Sequence, residues 1–153
     1  MSVVDVALRR LPHGAGLPLP AYATPDSAGL DLLAAVESGV ALAPGERRLI
    51  PTGIAIALPP GHEAQVRPRS GLAVKHGIGL INAPGTIDAD YRGEVMIALV
   101  NLGPSAYTVR RGDRIARVVI QRVEQARLEQ VSALDATERD SGGFGHKGRR
   151  KKA

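Results

Sequence analysis

Hydrophobic residues in this chain recur with the period of two that is typical of β-strands. The alternation is clearest over residues 4–8, 54–58 and 63–67. Residues 95–100 form a continuous apolar run, which predicts a strand that is buried on both faces. Residues 115–123 are rich in β-branched side chains and predict a further strand.

Turn residues separate these runs at short intervals. Gly and Pro mark breaks at residues 44–45, 59–61, 84–85, 103–104 and 111–113. Such spacing predicts an all-β fold, either a β-sandwich or a jelly-roll-like barrel of short strands. Only residues 70–76 predict a short helical turn, for which Ser70 is a candidate N-cap.

The chain is expected to form one domain and one arm. Apolar residues become rare from Thr137 onward, and the only Phe stands alone in that stretch. We therefore expect a single β domain over residues 1–136, followed by a mobile, glycine-rich and basic C-terminal arm over residues 137–153.

Composition narrows the possible functions. The 153 residues suffice for one hydrophobic core, and with no Trp, one Phe and three Tyr this core must be aliphatic. The absence of Cys excludes a disulfide scaffold, a thiolate zinc site and a cysteine nucleophile. No apolar run could span a bilayer, and the N-terminus lacks the apolar stretch of a signal peptide. We therefore expect a soluble, cytoplasmic protein.

The net charge of +5 is not by itself evidence of nucleic-acid binding. Without its last seven residues the chain is close to neutral. The basic residues of that tail are Lys147, Arg149, Arg150, Lys151 and Lys152. Because a charged terminus is usually a solvated end, nucleic-acid binding is the less favoured hypothesis, and an anionic small substrate stays open.

Five segments hold the candidate chemistry, at residues 28–32, 68–73, 82–94, 112–116 and 139–145. In this order they resemble the five motifs of the trimeric, all-β dUTPases, and the third is the longest and most specific. The resemblance implies a fold of the β-clip type and a homotrimer whose subunits share each active site. It also implies dUTP as substrate, with Mg²⁺ bound through the triphosphate and water rather than by direct protein ligands.

Residues 82–94 are predicted to bind the nucleoside. Pro84, Gly85 and Gly93 bracket an expected hairpin, whose backbone groups match the carbonyl and N–H edge of uracil. A narrow hairpin excludes the methyl group of thymine, and cytosine would leave polar groups unpaired. By resemblance, Asn82 lies at the base of this pocket. Tyr91 lies beneath the deoxyribose, where its ring leaves no room for a 2′-hydroxyl.

Asp88 is the predicted catalytic residue. Cleavage between the α- and β-phosphorus requires a positioned water, and a carboxylate can hold that water and accept its proton. The family assigns this role to the aspartate that matches Asp88. In isolation, Asp88 and Asp90 would be interpreted as ordinary turn aspartates.

Three further segments predict phosphate contacts. Ser70 and Gly71 offer a hydroxyl and backbone N–H groups at a helix start, and Arg69 offers a fixed charge. Asp31 resembles the carboxylate that holds water on the Mg²⁺. Arg117 stands where the family usually has Gln, so it either bonds a phosphate oxygen or points outward from a strand.

The arm is predicted to close over the bound nucleotide. Phe144 would stack on uracil, and Arg139 resembles the arginine that reaches the γ-phosphate. Asp140 and Lys147 depart from the usual motif. The full set of expected substrate-binding residues is Arg69, Ser70, Gly71, Asn82, Thr86, Ile87, Asp88, Tyr91, Met96, Arg139, Phe144 and Gly145.

The four histidines show no metal-ligand spacing. His13, His62 and His76 are expected to be surface or structural residues, and His146 is in addition a candidate phosphate contact.

The predicted reaction is Mg²⁺-assisted hydrolysis of dUTP to dUMP and pyrophosphate, which lowers dUTP and supplies dUMP for thymidylate synthesis. Two alternatives share the fold. One is a nucleotide-binding regulatory protein without turnover. The other is an enzyme that also deaminates dCTP, for which the sequence offers no additional acid–base arrangement.

Overall fold

The structure, a computed structural model, describes residues 3–144. The strands are β1 (Ala7–Arg10), β2 (Leu30–Leu33), β3 (Val40–Leu42), β4 (Arg47–Ala57), β5 (His62–Arg67), β6 (Ile78–Leu80), β7 (Gly85–Ile87), β8 (Glu94–Asn101), β9 (Tyr107–Val109) and β10 (Arg114–Arg122). A 3-10 turn covers Pro12–Gly14, and helix α1 covers Ser70–His76. Within residues 3–144, no helix is long and apolar enough to cross a membrane.

Antiparallel pairing arranges these strands in three sheets. One four-stranded sheet has the order β1-β4-β8-β6, and a second has the order β2-β10-β5-β7. A two-stranded sheet joins β3 to β9. The predicted all-β architecture of short strands with one short helix near residues 70–76 is therefore confirmed.

One aliphatic core connects the two larger sheets. Among the described residues, every buried hydrophobic side chain is Ala, Val, Leu or Ile, as the composition predicted. The nearest aromatic residue is Tyr107, which packs partly buried against the core. Burial raises the pKa of the Tyr107 phenol, whose ring centroid lies 5.0 Å from that of His76. Aliphatic packing of short strands thus replaces the aromatic anchors that many domains use.

The predicted strands differ from the observed ones mainly at their ends. β1 starts at Ala7 because its length is fixed by pairing with the last residues of β4, from Ala57 to Ile54. β4 itself begins seven residues earlier than the alternation predicted, at Arg47. The strand passes through Pro51, and the pairing with β8 shifts register directly after this proline, which is where sheets tolerate one.

β8 is buried on one face and half-buried on the other. Val95, Ile97 and Leu99 point into the core, while Met96 and Ala98 stay partly accessible in the single chain. Within one subunit, the prediction of burial on both faces is therefore confirmed for one face and not for the other.

Helix α1 has the predicted bounds, but Ser70 is not its N-cap. Arg69 occupies that position with an extended backbone, and no side chain caps the helix. Ser70 is already helical, so its hydroxyl does not precede the free N–H groups. The helix ends at His76 and is followed by Gly77, whose φ of 70° is the left-handed conformation that favours glycine.

Asn101 is the most deeply buried polar side chain of the described residues. Its amide nitrogen donates to the carbonyl oxygens of Leu42 and Ser105, at 2.9 and 2.8 Å. Its amide oxygen accepts from the Gly103 N–H at 2.9 Å. One side chain therefore forms hydrogen bonds with three backbone groups. These bonds connect the end of β8 to β3 and to the loop before β9.

We expect Asn101→Leu to lower the free energy of unfolding by about 2–4 kcal/mol, because it leaves buried backbone groups unpaired. Urea denaturation followed by circular dichroism at fixed protein concentration measures this change. The exposed Gln125→Leu substitution is the control and should change stability by less than about 0.5 kcal/mol. Equal midpoints for both variants would show that the Asn101 network does not stabilise the fold.

Candidate active site

Three arginines surround one buried carboxylate, that of Asp31 on β2. Arg69 Nη1 donates to Oδ1, to which Arg117 Nε also donates at 3.3 Å. Arg114 Nη1 lies 3.5 Å from Oδ2. We call these four residues the Asp31 cluster. Three positive charges against one negative charge leave an excess of positive charge on this surface.

Strand register creates the cluster. The β10–β2 pairing places Arg117 directly opposite Asp31, and the β10–β5 pairing brings the end of β5, just before Arg69, to the other side of β10. Residues 114 and 117 of a regular strand would point to opposite faces, because they are three positions apart. The register shift between Arg114 and Ala116 changes this parity, so both arginines reach Asp31.

The arginines of the cluster differ in exposure. The side chain of Arg69 is 18% exposed, whereas those of Arg114 and Arg117 are 59% and 51% exposed. Burial lowers the pKa of Arg69, Asp31 raises it, and the charges of Arg114 and Arg117 lower it further. The two accessible guanidinium groups therefore offer their charge to solvent, and the cluster suits an anionic ligand.

These contacts refine two sequence predictions and add one residue for which there was none. Asp31, expected to hold a water, is in the free chain a binding partner of arginines. Arg117 shows part of each predicted arrangement. It lies on a strand and bonds Asp31, and its side chain remains half-exposed to solvent. Arg114 belongs to one of the five segments but had no predicted role, because nothing in the sequence reveals the register shift that turns it toward Asp31.

Residues 82–94 do not form the predicted paired hairpin. Their first part, β7, pairs with β5, while β8 pairs with β4 and β6. The two strands thus belong to different sheets, and the prediction of a hairpin is wrong in this respect. A turn between them is closed by the Tyr91 N–H, which donates to the Asp88 carbonyl oxygen at 3.1 Å. Asp88 lies exposed at this turn.

The other predicted nucleoside contacts of this region lie on β7, β8 and the loop before them. Asn82 and Thr86 are exposed, and Met96 is half-buried opposite Pro51. Ile87 is buried in the core, so its side chain is not available to a ligand and only its backbone remains a candidate contact.

Tyr91 lies over its own turn. Its hydroxyl donates to the Glu94 carbonyl oxygen at 2.9 Å, and the ring remains partly exposed. A Cβ at Gly93 would collide with this hydroxyl, so a side chain at that position would displace the Tyr91 ring. Arg92 Nη1 donates to the carbonyl oxygens of Ala89 and Tyr91 at 2.7 and 2.9 Å, which closes the turn from the other side.

Asp88 lines a surface depression together with Asp90, Arg92, His62 and Glu63. None of the arginines of the Asp31 cluster borders this depression. Within one subunit the candidate base and the candidate phosphate cluster are therefore separate. His62, expected to be a surface or structural residue, lies beside the candidate base.

The remaining predicted residues lie at α1 and in the arm. Ser70 and Gly71 open α1 directly after Arg69. Arg139 Nε donates to the Gly142 carbonyl oxygen at 2.7 Å, and Phe144 is fully exposed. Gly145, His146 and Lys147 lie outside the described residues. Within residues 3–144, no group of three His, Cys, Asp or Glu side chains could hold a metal ion.

Comparison with known proteins gives matches over nearly the whole chain. The chain matches the family model described as dUTPase over residues 16–148. It is 59% identical over 150 residues to the deoxyuridine 5'-triphosphate nucleotidohydrolase of Maricaulis maris (strain MCS10), which covers 97% of this chain and 99% of that protein. The protein of the same description from Methylocella silvestris is 54% identical over 147 residues, covering 95% and 92%.

Solved structures show the same fold. A dUTPase of Staphylococcus bacteriophage 80alpha, solved with dUPNHPP, superposes with a TM-score of 0.84 at 25% identity, covering 94% of this chain and 98% of that one. A mutant dUTPase of phage phi11 of S. aureus, described with a structural Mg(II) ion, gives 0.76 at 23% identity, covering 86% and 99%.

The fold and the full-length matches define a nucleotide hydrolase of the all-β type. The chain belongs to the dUTPase family. Its enzyme class is dUTP diphosphatase.

We expect Asp31→Asn to lower the free energy of unfolding by about 2–3 kcal/mol, because it leaves the poorly solvated Arg69 without its counter-charge. Arg117→Gln should cost less than about 1 kcal/mol, since that side chain is half-exposed and its ion pair is solvent-screened. Urea denaturation of both variants gives the comparison. A larger loss for Arg117→Gln than for Asp31→Asn would contradict the assignment of Asp31 as the centre of the cluster.

Proposed function

We propose that this dUTPase hydrolyses dUTP to dUMP and pyrophosphate, with Asp88 as the general base. The observation that supports this role is the placement of Asp88. Its carboxylate is exposed at the turn of residues 82–94, and within residues 3–144 no hydrogen bond or ion pair occupies it. A carboxylate without competing partners can hold a water and accept its proton.

In the proposed step the water oxygen forms a bond to the α-phosphorus while its proton moves to Asp88. The bond between the α-phosphorus and the oxygen that bridges it to the β-phosphorus breaks. Pyrophosphate leaves with that oxygen, and dUMP remains. Positioned general bases contribute roughly 10²–10⁴-fold to such rates. We infer that the cellular role is to lower dUTP and to supply dUMP for thymidylate synthesis.

The Asp31 cluster is the proposed triphosphate site. Arg114 and Arg117 present accessible guanidinium groups, and Ser70 and Gly71 add a hydroxyl and an N–H group beside Arg69. Guanidinium groups bind phosphate oxygens with paired, charge-assisted hydrogen bonds. We infer that some of the guanidinium groups that contact Asp31 turn toward the triphosphate when it binds.

Mg²⁺ is proposed to arrive with the triphosphate as part of the substrate. The residues present fit such a metal, because the Asp31 carboxylate can act through a metal-bound water. Oδ2 of Asp31 has only the long contact to Arg114 at 3.5 Å, which leaves it able to accept a hydrogen bond from a metal-bound water. When bound, the metal would neutralise phosphate charge.

Nucleoside recognition is proposed for residues 82–94 together with Met96 on β8. Exposed backbone and the side chains of Asn82, Thr86 and Met96 would meet the uracil edge, and Ile87 would contribute its backbone. The ring of Tyr91, fixed by its hydroxyl, would lie beneath the deoxyribose and exclude a 2′-hydroxyl.

The arm is proposed to close the site. Phe144 would stack on the base, Arg139 would reach the γ-phosphate, and Gly145 would bring backbone N–H groups to the phosphates. The exposure of every residue from 124 to 141 supports an arm that is free to cover a site. We retain residues 1–136 as the domain and 137–153 as the arm, although strand pairing already ends at Arg122.

A homotrimer with shared active sites is proposed for two reasons. Asp88 and the Asp31 cluster lie apart within one chain, so neighbouring subunits would complete each site. Large apolar side chains are also exposed in the described part of the chain, among them Leu128, Val131 and Leu134 beyond β10. Contact with a neighbouring subunit would bury these side chains and remove them from water.

Asp88→Asn should lower kcat for pyrophosphate release from Mg·dUTP by about 10²–10⁴-fold, because the amide cannot accept the proton of water. The matched control is Asp90→Asn, which removes a carboxylate from the same depression and should retain kcat within about threefold. Similar rates for wild type and Asp88→Asn would reject Asp88 as the base.

Mixed trimers test whether the sites are shared. Asp88→Asn and Arg69→Ala subunits should each be nearly inactive as homotrimers. Co-expressed with different tags and purified as mixed trimers, they should regain about a third of the wild-type activity, because each mixed ring of three subunits pairs an intact base with an intact phosphate site at one of its three interfaces. Mixed trimers that stay inactive would show that each subunit builds its site alone.

A further inference from the structure

His13 and Glu94 form a contact that the proposed chemistry does not use. Nε2 of His13 lies 2.6 Å from Oε1 of Glu94, and the two residues are 81 positions apart in the chain. Because a carboxylate only accepts hydrogen bonds, His13 must be the donor. The His13 side chain is 32% exposed and that of Glu94 is 20% exposed, so the contact is partly shielded from water.

Glu94 has a second partner from another strand. The Gly53 N–H donates to the same Oε1 at 2.7 Å, at the point where the β4–β8 pairing shifts register. The carboxylate therefore joins three segments of the chain, namely the N-terminal 3-10 turn, β4 and the first residue of β8.

The segment that carries His13 is held rigidly against β4. A Cβ at Gly14 would lie 2.5 Å from the Gly53 carbonyl oxygen, so the two backbones touch directly. Arg111 holds the same segment from outside, with Nη1 donating to the His13 carbonyl oxygen at 2.9 Å and Nη2 to that of Ala15 at 2.7 Å. The imidazole therefore reaches Glu94 from a fixed backbone.

Glu94 also provides the support for Tyr91. Its carbonyl oxygen accepts the Tyr91 hydroxyl at 2.9 Å, and the absence of a side chain at Gly93 lets the ring lie over that backbone. The side chain of Glu94 is anchored by His13 and Gly53, while its main chain anchors the ring. Movement of Glu94 would therefore move the tyrosine hydroxyl with it.

We propose that His13 is a positioning residue for sugar recognition, since it holds Glu94 and thereby fixes the Tyr91 ring against which a 2′-hydroxyl would clash. The inference rests on the proposed function, in which Tyr91 lies beneath the deoxyribose. His13 acts only through Glu94 and does not touch the substrate. Its loss should relax discrimination between dUTP and UTP more than it slows dUTP hydrolysis.

The test measures kcat and KM for Mg·dUTP and Mg·UTP with wild type, His13→Ala, His13→Gln, Arg111→Ala and Tyr91→Ala. His13→Ala should lower the dUTP-to-UTP ratio of kcat/KM by about tenfold, the effect of one lost charge-assisted hydrogen bond. His13→Gln, whose amide can still donate to Glu94, should restore the ratio to within about twofold of wild type.

Arg111→Ala is the matched control, because it removes another contact of the same segment without touching Glu94. The direct packing of Gly14 against Gly53 keeps the segment in place, so this variant should keep the wild-type ratio. An unchanged ratio in His13→Ala, or an equal loss in Arg111→Ala, would overturn the inference. If His13→Ala does not fold, His13→Asn replaces it, since the shorter amide does not reach Glu94.

The same experiment separates this inference from the proposed function. A wild type that does not hydrolyse dUTP, or a Tyr91→Ala variant that still rejects UTP, contradicts the proposed function. A wild type that discriminates, a Tyr91→Ala variant that does not, and a His13→Ala variant that behaves like wild type contradict only the role of His13.

Discussion

The register of one sheet, β2-β10-β5-β7, is the constraint on which the candidate site depends. Its central strand β10 places Arg117 opposite Asp31 on one side and opposite Arg67 on the other. Through β5 the same register fixes the approach to Arg69 and α1, and through β7 it fixes Thr86. A slip of one residue in β10 would turn every side chain of this strand to the other face, and the charged cluster and the aliphatic core would be lost together.

The charge of the Asp31 cluster is unbalanced. One buried carboxylate does not neutralise three guanidinium groups, and the remaining positive charge favours the binding of an anion. Asp31 holds the three guanidinium groups close together through these contacts. Asp88 shows a different arrangement, since its carboxylate is exposed on a turn and has no ion pair within residues 3–144.

Periodicity and turn residues predicted the all-β class, the long strands β5, β8 and β10, and the bounds of α1. They missed the three-residue strands, whose pattern is too short to stand out, and the passage of β4 through Pro51. The five segments identified the family and most candidate residues. Contacts that depend on pairing between distant parts of the chain could not be predicted. Examples are the orientation of Arg114 toward Asp31 and the contact of His13 with Glu94. The placement of the two strands of residues 82–94 in different sheets is another.

Because its core is purely aliphatic, this protein has weak ultraviolet absorbance and weak intrinsic fluorescence. It has no Trp, its only Phe lies fully exposed in the arm, and its three Tyr lie outside the fully buried core. Ultraviolet absorbance and intrinsic fluorescence therefore report little on the folding of the sheets. The same property suits the chain to a fluorescent label. In a Phe144→Trp variant, the single indole would be the only strongly fluorescent group in the molecule. Its signal would then report on the arm without interference from the rest of the fold.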